Sequence, residues 1–342
     1  QTWIEVYLDS LRKAADAYIH VRGVEDDDLF HNLESELSDE VDADTVRHQL
    51  YAVETFGYST AHSFLIALYM RFVDDDAYES LTEAMETLVI RMFGVGGARR
   101  DTKRNHFETL SRALFWVDRE DITEVFPSDS PIPDGVDKDT SQYDLDGSDK
   151  DISTVVDQLY EWAYNYSHKS DDDTEIDIFE QRLRTVNLDG LGVAGWGGLS
   201  TSELKNYMLY RYEARIRRGG ADLPKYLEAG INDFTVEHVW PQARGDKGIA
   251  TDLEEEDYAE YVERLGNLAF LSLSENASAG NEPYKQKWEN AYHEAGDGTK
   301  MVRDEFPDPT GEESNDATRA GFDTWGTDVI DWRSDRMAEK LA

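Results

Sequence analysis

Apolar residues recur every three or four positions along most of the first two thirds of the chain, and this spacing predicts amphipathic helices. The predicted helices cover residues 3–18, 64–72, 81–92, 102–117, 152–166, 176–186 and 202–217. Ser80, followed three residues later by Glu83, predicts a capping box at the start of the third helix. The chain therefore begins with a helical body.

The pattern changes in the last third of the chain, where short apolar runs replace the helical spacing. Residues 235–239 predict one strand, which ends before Pro241. Residues 268–273 predict a second strand, entered through a Gly266-Asn267 turn. Further helices are predicted at about residues 283–295 and 325–341. The fold class expected is mainly α, with a small α+β module at the C-terminal end.

These segments predict four regions along the chain: a helical domain at residues 1–127, an acidic linker or long loop at 128–151, a helical region continuing the body at 152–220, and the C-terminal module at 221–342. The linker is rich in proline, glycine, serine and aspartate and has almost no periodicity. Because the chain begins with Gln1 and not with methionine, we expect a fragment or a processed product.

The charge balance is extreme, with 73 acidic and 34 basic residues and a formal net charge of -39. Aromatic residues make up 11% of the chain and the apolar periodicities extend along it, which argues against disorder. Two interpretations remain: a surface that mimics nucleic acid, or a protein of a salt-loaded cytoplasm. The salt-loaded cytoplasm is favoured, because lysine is scarcer than arginine. At molar salt the Debye length is about 3 Å, so the salt screens the repulsion among the acidic residues.

The absence of cysteine excludes disulfides, thiolate catalysis and cysteine zinc sites. The longest apolar run, residues 64–73, is interrupted by Arg71 and is too short to span a bilayer. No signal peptide is visible. We expect a soluble protein of a high-salt cytoplasm, without a membrane partner.

The strongest candidate site lies in the C-terminal module. Glu237 and His238 stand side by side in the first predicted strand. Asn267 opens the second strand, and Asn276 follows nine residues later, in the loop expected before the helix that starts near Pro283. A nuclease that holds one metal ion and one scissile phosphate needs such a set: a base, hard oxygen ligands and a residue that fixes the loop. Alone, a Glu-His pair is more often a surface ion pair and an asparagine beside glycine a turn residue, but the order and spacing of all four favour a site.

At these residues the sequence resembles a known family, the C-terminal HNH-like domain of GmrSD-type restriction endonucleases. The resemblance covers residues 234–341 and is weaker at 207–213 and 81–107. The matching residues are Glu237-His238-Val-Trp-Pro241-Gln242, Arg264-Leu-Gly-Asn267-Leu, Asn276, Lys285 or Lys287, and Trp325-x4-Ile330-x2-Arg333. The resemblance implies a ββα-metal (HNH-like) nuclease domain behind the helical body, and the acidic composition is haloarchaeal-like.

The resemblance also implies catalytic and metal-binding roles. His238 would be the general base, since a histidine titrates near neutral pH. Glu237 and Asn276 would hold Mg²⁺ or Mn²⁺ through oxygen atoms, with Asn281 as the alternative to Asn276. The metal affinity should be modest, because Asn276 stands where many HNH sites have a histidine. Asn267 would hold the loop and orient His238 through side-chain hydrogen bonds.

Basic residues are the candidates for contacts with the DNA backbone. Arg264, Lys285 and Lys287 would bind substrate phosphates in the module. Two basic clusters would either follow the phosphate backbone or pair with neighbouring acids; they consist of Arg99, Arg100, Lys103 and Arg104, and of Arg215, Arg217 and Arg218.

The resemblance implies a divalent-metal-dependent DNA endonuclease of a restriction or phage-defence system. One such site cuts one strand, so we expect a nickase. The alternatives are a non-catalytic acidic interaction or scaffold protein that mimics DNA, and a ribonuclease of the same fold. Family members usually carry a nucleotide-hydrolysing sensor domain, but the chain has no phosphate-binding loop. Such a domain would lie upstream or on a partner chain.

Overall fold

The structure, a computed structural model, describes residues 3–24, 27–55, 59–95, 104–116, 152–171, 174–185, 201–217, 234–244, 249–250, 252–293, 300–311 and 315–341. It divides into two compact units, Gln1–Ser167 and His168–Ala342. The start of the C-terminal module predicted near residue 220 stays a prediction, because residues 218–233 lie outside the described ranges. Residues 128–151, predicted to form the linker, lie outside the described ranges.

The first unit is helical, as its periodicity predicted. Its helices are α1 (Trp3–Arg22), α2 (Asp27–Glu34), α3 (Ala43–Thr55), α4 (His62–Phe72), α5 (Ala77–Val89), α6 (Arg104–Trp116) and α7 (Ile152–Ser167). A 3-10 turn (Ser59–Ala61) precedes α4, and a π turn (Ile90–Val95) continues α5. Fully buried residues of α4, α5 and α6 form its core, including Phe64, Leu81 and Phe107. The rings of Phe64 and Phe107 meet edge to face, with centroids 6.2 Å apart.

The predicted capping box at Ser80 is wrong. The helix begins at Ala77, with Asp76 as its N-cap residue. Ser80 lies inside the first turn, where its hydroxyl donates to the carbonyl of Ala77 at 2.9 Å. A serine inside a helix can bond back to a carbonyl of that helix instead of capping its start, and the sequence pattern placed the start, at Leu81, four residues too late.

The second unit combines helices with two small antiparallel sheets. Its elements are β1 (His168–Asp171), β2 (Thr174–Asp177), α8 (Ile178–Thr185), α9 (Thr201–Arg217), β3 (Phe234–His238), α10 (Glu255–Val262), β4 (Leu268–Ser272), α11 (Leu273–Ala279), α12 (Tyr284–Lys287), α13 (Lys300–Glu305), α14 (Asp316–Arg319) and α15 (Thr327–Leu341). A 3-10 turn (Leu265–Asn267) leads into β4, and a π turn (Trp288–Tyr292) follows α12. The structure is thus mostly helical with a small α+β part, in agreement with the predicted class.

Strands β3 and β4 were both predicted, and they pair with each other. Their antiparallel register sets Phe234 opposite Ser272 and His238 opposite Leu268. The sheet β1–β2 was not predicted; it precedes α8, where the sequence indicated only a helix. Among the described helices, none is both long and apolar enough to cross a membrane.

Helix α15 packs directly against the turn that leads into β4. A Cβ atom added to Gly266 would lie 2.0 Å from the carbonyl oxygen of Ile330, so only glycine allows this approach. The amide of Gly266 donates to the hydroxyl of Ser334 at 3.1 Å. Arg333 is fully buried and donates to the carbonyls of Gly266 and Leu268, which flank Asn267. The last helix therefore fixes the position of Asn267.

Arg333 is held in turn by a buried carboxylate. Glu305, which ends α13, accepts from Nε of Arg333 at 3.2 Å and pairs with Nε of Arg336 at 3.0 Å. The hydroxyl of Tyr212, in α9, donates to the same carboxylate. Both Glu305 and Arg333 are 0% exposed. Buried charges are tolerated only when paired and hydrogen-bonded, and this cluster ties α9, α13 and α15 together.

Candidate active site

The end of β3 sends Glu237 and His238 to opposite faces of the small sheet, because successive side chains of a strand alternate. The side chain of Glu237 is 5% exposed, and that of His238 is 15% exposed. The two residues that the sequence put side by side therefore have different surroundings, and no bond joins their side chains among the described contacts.

His238 faces a carboxylate. Its Nε2 atom lies 3.2 Å from Oε2 of Glu263, the residue that follows α10. The same carboxylate accepts from Nζ of Lys205 at 2.5 Å and, on Oε1, from Nε2 of Gln242 at 2.9 Å. Glu263 is buried together with Lys205. His238 thus belongs to a four-residue cluster that we call the histidine cluster: His238, Glu263, Lys205 and Gln242.

The electrostatics of the histidine cluster fix the state of Glu263. Burial raises the pKa of a carboxyl group, but hydrogen bonds from His238, Lys205 and Gln242 outweigh that effect and lower the pKa of Glu263 to about 2. At neutral pH the carboxylate is therefore ionised and can only accept hydrogen bonds. Nε2 of His238 must carry the shared proton, which leaves the lone pair of a neutral ring on Nδ1.

Glu263, Lys205 and the role of Gln242 were missed by the sequence analysis. Glu263 is one of 73 acidic residues and follows a helix that already begins with three acids, so nothing in its local pattern marks it. The one usable signal is its position directly before Arg264, at the edge of the motif that carries the resemblance. Lys205 gave no signal, because its partner lies 58 residues away in the chain.

On the other face, Glu237 is paired with a buried lysine. Nζ of Lys287 donates to Oε1 of Glu237 at 2.6 Å and to the carbonyl oxygen of His238 at 2.7 Å. The hydroxyl of Tyr292 donates to the same Oε1 at 2.6 Å. Burial and the adjacent Glu237 carboxylate raise the pKa of the Tyr292 phenol well above its usual range, so the phenol stays a donor.

Asn276 lies beside this face, but in a helix. It was expected in a loop, whereas it belongs to α11, whose first turn is capped by Ser272 and Glu275. Its side-chain Nδ2 atom donates to the hydroxyl of Thr235 at 2.6 Å and to the carbonyl of Val236 at 3.3 Å. Asn276 therefore braces α11 against β3. Asn281, the alternative, is exposed just beyond the end of that helix.

Glu237, one of the predicted metal ligands, does not fit a metal ion in this arrangement. The charge of Glu237 is already balanced by the Lys287 ammonium group, and its side chain is nearly inaccessible. Mg²⁺ keeps several of its waters when bound to protein, and a carboxylate that is 5% exposed leaves no room for them. Within the ranges that the structure describes, no group of three or more histidine, aspartate or glutamate side chains could hold a metal ion.

Asn267 holds the main chain just beyond His238. Its Oδ1 atom accepts from the amide of Trp240 at 2.9 Å and from the indole nitrogen of Trp325 at 3.1 Å. Its Nδ2 atom donates to the carbonyls of Trp240 at 3.1 Å and Val262 at 2.9 Å. Its bonds thus hold the loop after β3, whereas the side chain of His238 is bonded by Glu263.

The predicted substrate contacts differ in their accessibility. Arg264 stacks 3.9 Å from the ring centroid of Tyr261, bonds Asp331 at 2.5 Å and also pairs with Glu260. Its guanidinium group is thus engaged by two carboxylates. Lys287 is buried in the pair described above. Lys285, by contrast, is exposed in α12.

A cleft of about 730 Å³ opens beside the loop that follows His238. Its lining includes Trp240, Pro241, Trp325 and Lys285, together with the three aspartates Asp252, Asp323 and Asp328. Among the described residues that line it, Lys285 is the one lysine or arginine. Lys285 is therefore the candidate for a phosphate contact in a cleft that is otherwise lined by acidic, polar and apolar residues.

The two basic clusters are only partly described. Arg104 is exposed at the start of α6. Arg215 donates to the carbonyl of Lys340 at 2.5 Å and so binds the end of α15. Arg217 ends α9. The remaining members, Arg99, Arg100, Lys103 and Arg218, lie outside the described residues.

Comparison with known proteins agrees with the resemblance seen in the sequence. Residues 198–340 match the family model described as GmrSD restriction endonucleases, C-terminal domain. No curated protein and no solved structure matches the chain. The matched segment begins just before α9 and includes β3, β4, the histidine cluster and nearly all of α15. This segment is therefore similar to the C-terminal domain of GmrSD restriction endonucleases, which supports a restriction-type nuclease.

Proposed function

We propose that the second unit hydrolyses phosphodiester bonds of DNA as an endonuclease of a restriction or phage-defence system, with His238 as the general base. The family match supports the reaction class. The observation that carries the role of His238 is its bond with Glu263, 3.2 Å long and set in a cluster of buried partners.

The histidine cluster can prepare a base. Ionised Glu263 accepts a hydrogen bond from the Nε2–H group of His238, so Nδ1 offers its lone pair to a water molecule. The water oxygen forms a bond to phosphorus as Nδ1 takes its proton. The bond from phosphorus to the 3′ oxygen breaks, its electron pair stays on that oxygen, and the oxygen takes a proton from solvent to become the 3′ hydroxyl. Lys205 and Gln242 keep the carboxylate in place during this step, because each donates a hydrogen bond to it.

The substrate is held by groups around the loop after β3. Lys285 contacts a phosphate at the cleft, since it is an exposed residue that lines it. Asn267 keeps the main chain of Trp240 fixed, and this loop adjoins His238. One His238 site cuts one strand, so the expected product is a nick, and a double-strand break requires two sites or two events.

Mg²⁺ or Mn²⁺ is also implied by the resemblance. A divalent ion bound near the scissile phosphate would stabilise the negative charge that develops there. Because Glu237 does not fit such an ion, activation of the water is assigned to His238, which Glu263 orients, and not to a metal ion. Assays with each ion and with a chelator decide whether the ion takes part.

The test is cleavage of supercoiled plasmid in about molar KCl, because salt at this concentration screens the repulsion among the many acidic residues. Wild type should convert the plasmid to open circles, and His238→Ala should lower the rate at least about 100-fold, the contribution expected of a general base. His293→Ala is the matched control, because His293 is an exposed histidine outside the histidine cluster.

Other outcomes would change the proposed function. Equal nicking by wild type and His238→Ala would remove His238 from the mechanism. A folded wild type that cuts neither DNA nor RNA, with either ion and with added nucleotide, would favour the acidic interaction protein. Cleavage of RNA alone would identify a ribonuclease.

A further inference from the structure

We infer that Lys287 is a positioning residue whose ammonium group holds Glu237 and the main chain of His238. It would then take the place in the fold that the resemblance gives to a metal ion. In this arrangement Glu237 is the counter-ion of Lys287, and neither residue contacts a metal ion or a phosphate. The positioning role rests on the proposed function, whereas the ion pair can be tested without any nuclease activity.

The geometry places one cation on two consecutive residues. Nζ of Lys287 is 2.6 Å from Oε1 of Glu237 and 2.7 Å from the carbonyl oxygen of His238. A lysine ammonium group has three donors, so a single side chain can hold both the carboxylate and the main chain. The end of β3 is thereby fixed from one face, while Glu263 holds the imidazole on the other.

Burial shows that the pair is internal. The side chains of Lys287 and Glu237 are 1% and 5% exposed, and the Tyr292 hydroxyl adds a second bond to Oε1. Lysine and glutamate are almost never fully buried unless they are paired. A DNA phosphate cannot reach an ammonium group that is 1% exposed, so Lys287 cannot make the predicted substrate contact in this arrangement.

Lys285, a neighbouring lysine, differs from Lys287 in its exposure. Lys285 lies two residues earlier in the same short helix, yet it is exposed and borders the cleft. Two positions along a helix turn a side chain by about 200°, so the two lysines point in different directions. This separates the two roles: Lys285 contacts phosphate, and Lys287 positions His238.

The first experiment is a double-mutant cycle on thermal stability. Lys287→Met keeps the aliphatic stem and removes the charge, and Glu237→Gln removes the opposite charge. Each single variant should lower the unfolding midpoint by on the order of 10 °C, because it leaves one buried charge unpaired. The double variant should have a higher unfolding midpoint than the less stable of the two single variants, since both charges are gone. Gln286→Met, an exposed change between the two lysines, is the control.

The second experiment measures binding of Mn²⁺ alone, from the electron paramagnetic resonance signal of the free ion. We expect the same affinity for Mn²⁺, or the same absence of Mn²⁺ binding, in wild type and Glu237→Gln. A loss of tenfold or more in folded Glu237→Gln, or purely additive shifts in the stability cycle, would overturn it. If Glu237→Gln does not fold, the double variant replaces it in this comparison.

The third experiment separates positioning from phosphate binding. Lys287→Met should lower kcat at least about tenfold and leave KM for DNA within about twofold, because the base is displaced but the DNA contacts remain. Lys287→Arg should restore part of kcat. Lys285→Met should instead raise KM. A rise of KM without a fall of kcat in Lys287→Met would make Lys287 a phosphate contact and contradict the proposal. An inactive wild type would count against the proposed function, and the first two experiments would still decide the ion pair.

Discussion

Asn267 and Trp240 exchange two hydrogen bonds, side chain to main chain. The amide of Trp240 donates to Oδ1 of Asn267 at 2.9 Å, and Nδ2 of Asn267 donates to the carbonyl of Trp240 at 3.1 Å. Two further bonds, with Val262 and Trp325, use the remaining donor and acceptor capacity of the amide. Asn267 is 0% exposed, so water cannot replace any of these partners.

Replacement of Asn267 by aspartate should therefore unfold the loop or the whole unit. Asn267→Asp turns a donor that faces two carbonyls into an acceptor, and buried acceptors that face each other are strongly unfavourable. We expect the free energy of unfolding to fall by about 3 kcal/mol or more, measured by urea denaturation at high salt. Asn281→Asp is the control, because Asn281 is exposed. A loss below about 1 kcal/mol would mean that the loop is held by other contacts.

Glu263 should make the stability depend on pH. Its pKa is about 2 in the folded protein and 4.5 in an ordinary glutamate, so its contribution is present above pH 4.5 and is lost as the pH falls towards 2. The contribution amounts to about 3 kcal/mol at neutral pH, to order of magnitude. Between pH 6 and 2, the free energy of unfolding should fall less in Glu263→Gln than in wild type. Glu256→Gln, an exposed change in α10, should keep the wild-type profile.

Gly266→Ala should be among the most damaging small substitutions in the second unit. The added methyl group would lie 2.0 Å from the Ile330 carbonyl and 2.5 Å from the Ser334 hydroxyl, so α15 must move. Overpacking of this kind typically costs 1–3 kcal/mol or more (about 3 expected here). Gly326→Ala is the matched control, since nothing lies within 4 Å of its added Cβ. Equal unfolding midpoints for the two variants would contradict the close packing of α15.

Arg333→Met should destabilise the second unit through the buried Glu305 cluster. The substitution removes a partner of a fully buried carboxylate and the two bonds to the Gly266 and Leu268 carbonyls. Breaking a buried ion pair costs about 3–5 kcal/mol. Arg333→Lys should recover little of the lost stability, because lysine lacks the planar guanidinium group that donates several hydrogen bonds at once. Arg319→Met removes an exposed pair with Asp316, and its effect on thermal unfolding should be small.

Lys285→Ala should change the salt dependence of DNA binding. Each phosphate contact adds about 0.9 to the slope of log affinity against log salt concentration. Loss of one contact should therefore reduce that slope by about one, measured by fluorescence anisotropy with a labelled duplex. Gln286→Ala should leave the slope unchanged. An unaltered slope in Lys285→Ala would remove this lysine from the binding surface.

The same local pattern led to opposite outcomes at two places in the chain. A serine followed by glutamate three residues later occurs at Ser80 and again at Ser272. At Ser272 both bonds of a capping box form and start α11, the helix that holds Asn276. At Ser80 no capping box forms, because the helix begins earlier, at Ala77. The signal that would have placed Asn276 in a helix was therefore present, but a local pattern alone does not decide where a helix begins.

The elements of the second unit followed closely from the sequence where one periodicity extends over several residues. The strands predicted at 235–239 and 268–273 are found as Phe234–His238 and Leu268–Ser272, and the helix predicted at 325–341 as Thr327–Leu341. These agree because side-chain alternation and helical spacing are local properties. The pairing of β1 with β2 was missed, since two four-residue strands of mostly polar residues give no such signal.

By itself, the sequence determined the helical body, the two strands of the candidate site and the resemblance of the C-terminal segment to restriction endonucleases. Only the tertiary structure decided the partners of the adjacent residues Glu237 and His238. Glu263 lies 25 residues from His238 in the chain, and Lys287 lies 50 from Glu237. Ion pairing depends on distance in space and on burial. In a chain with 73 acidic residues, neither can be read from the order of the residues.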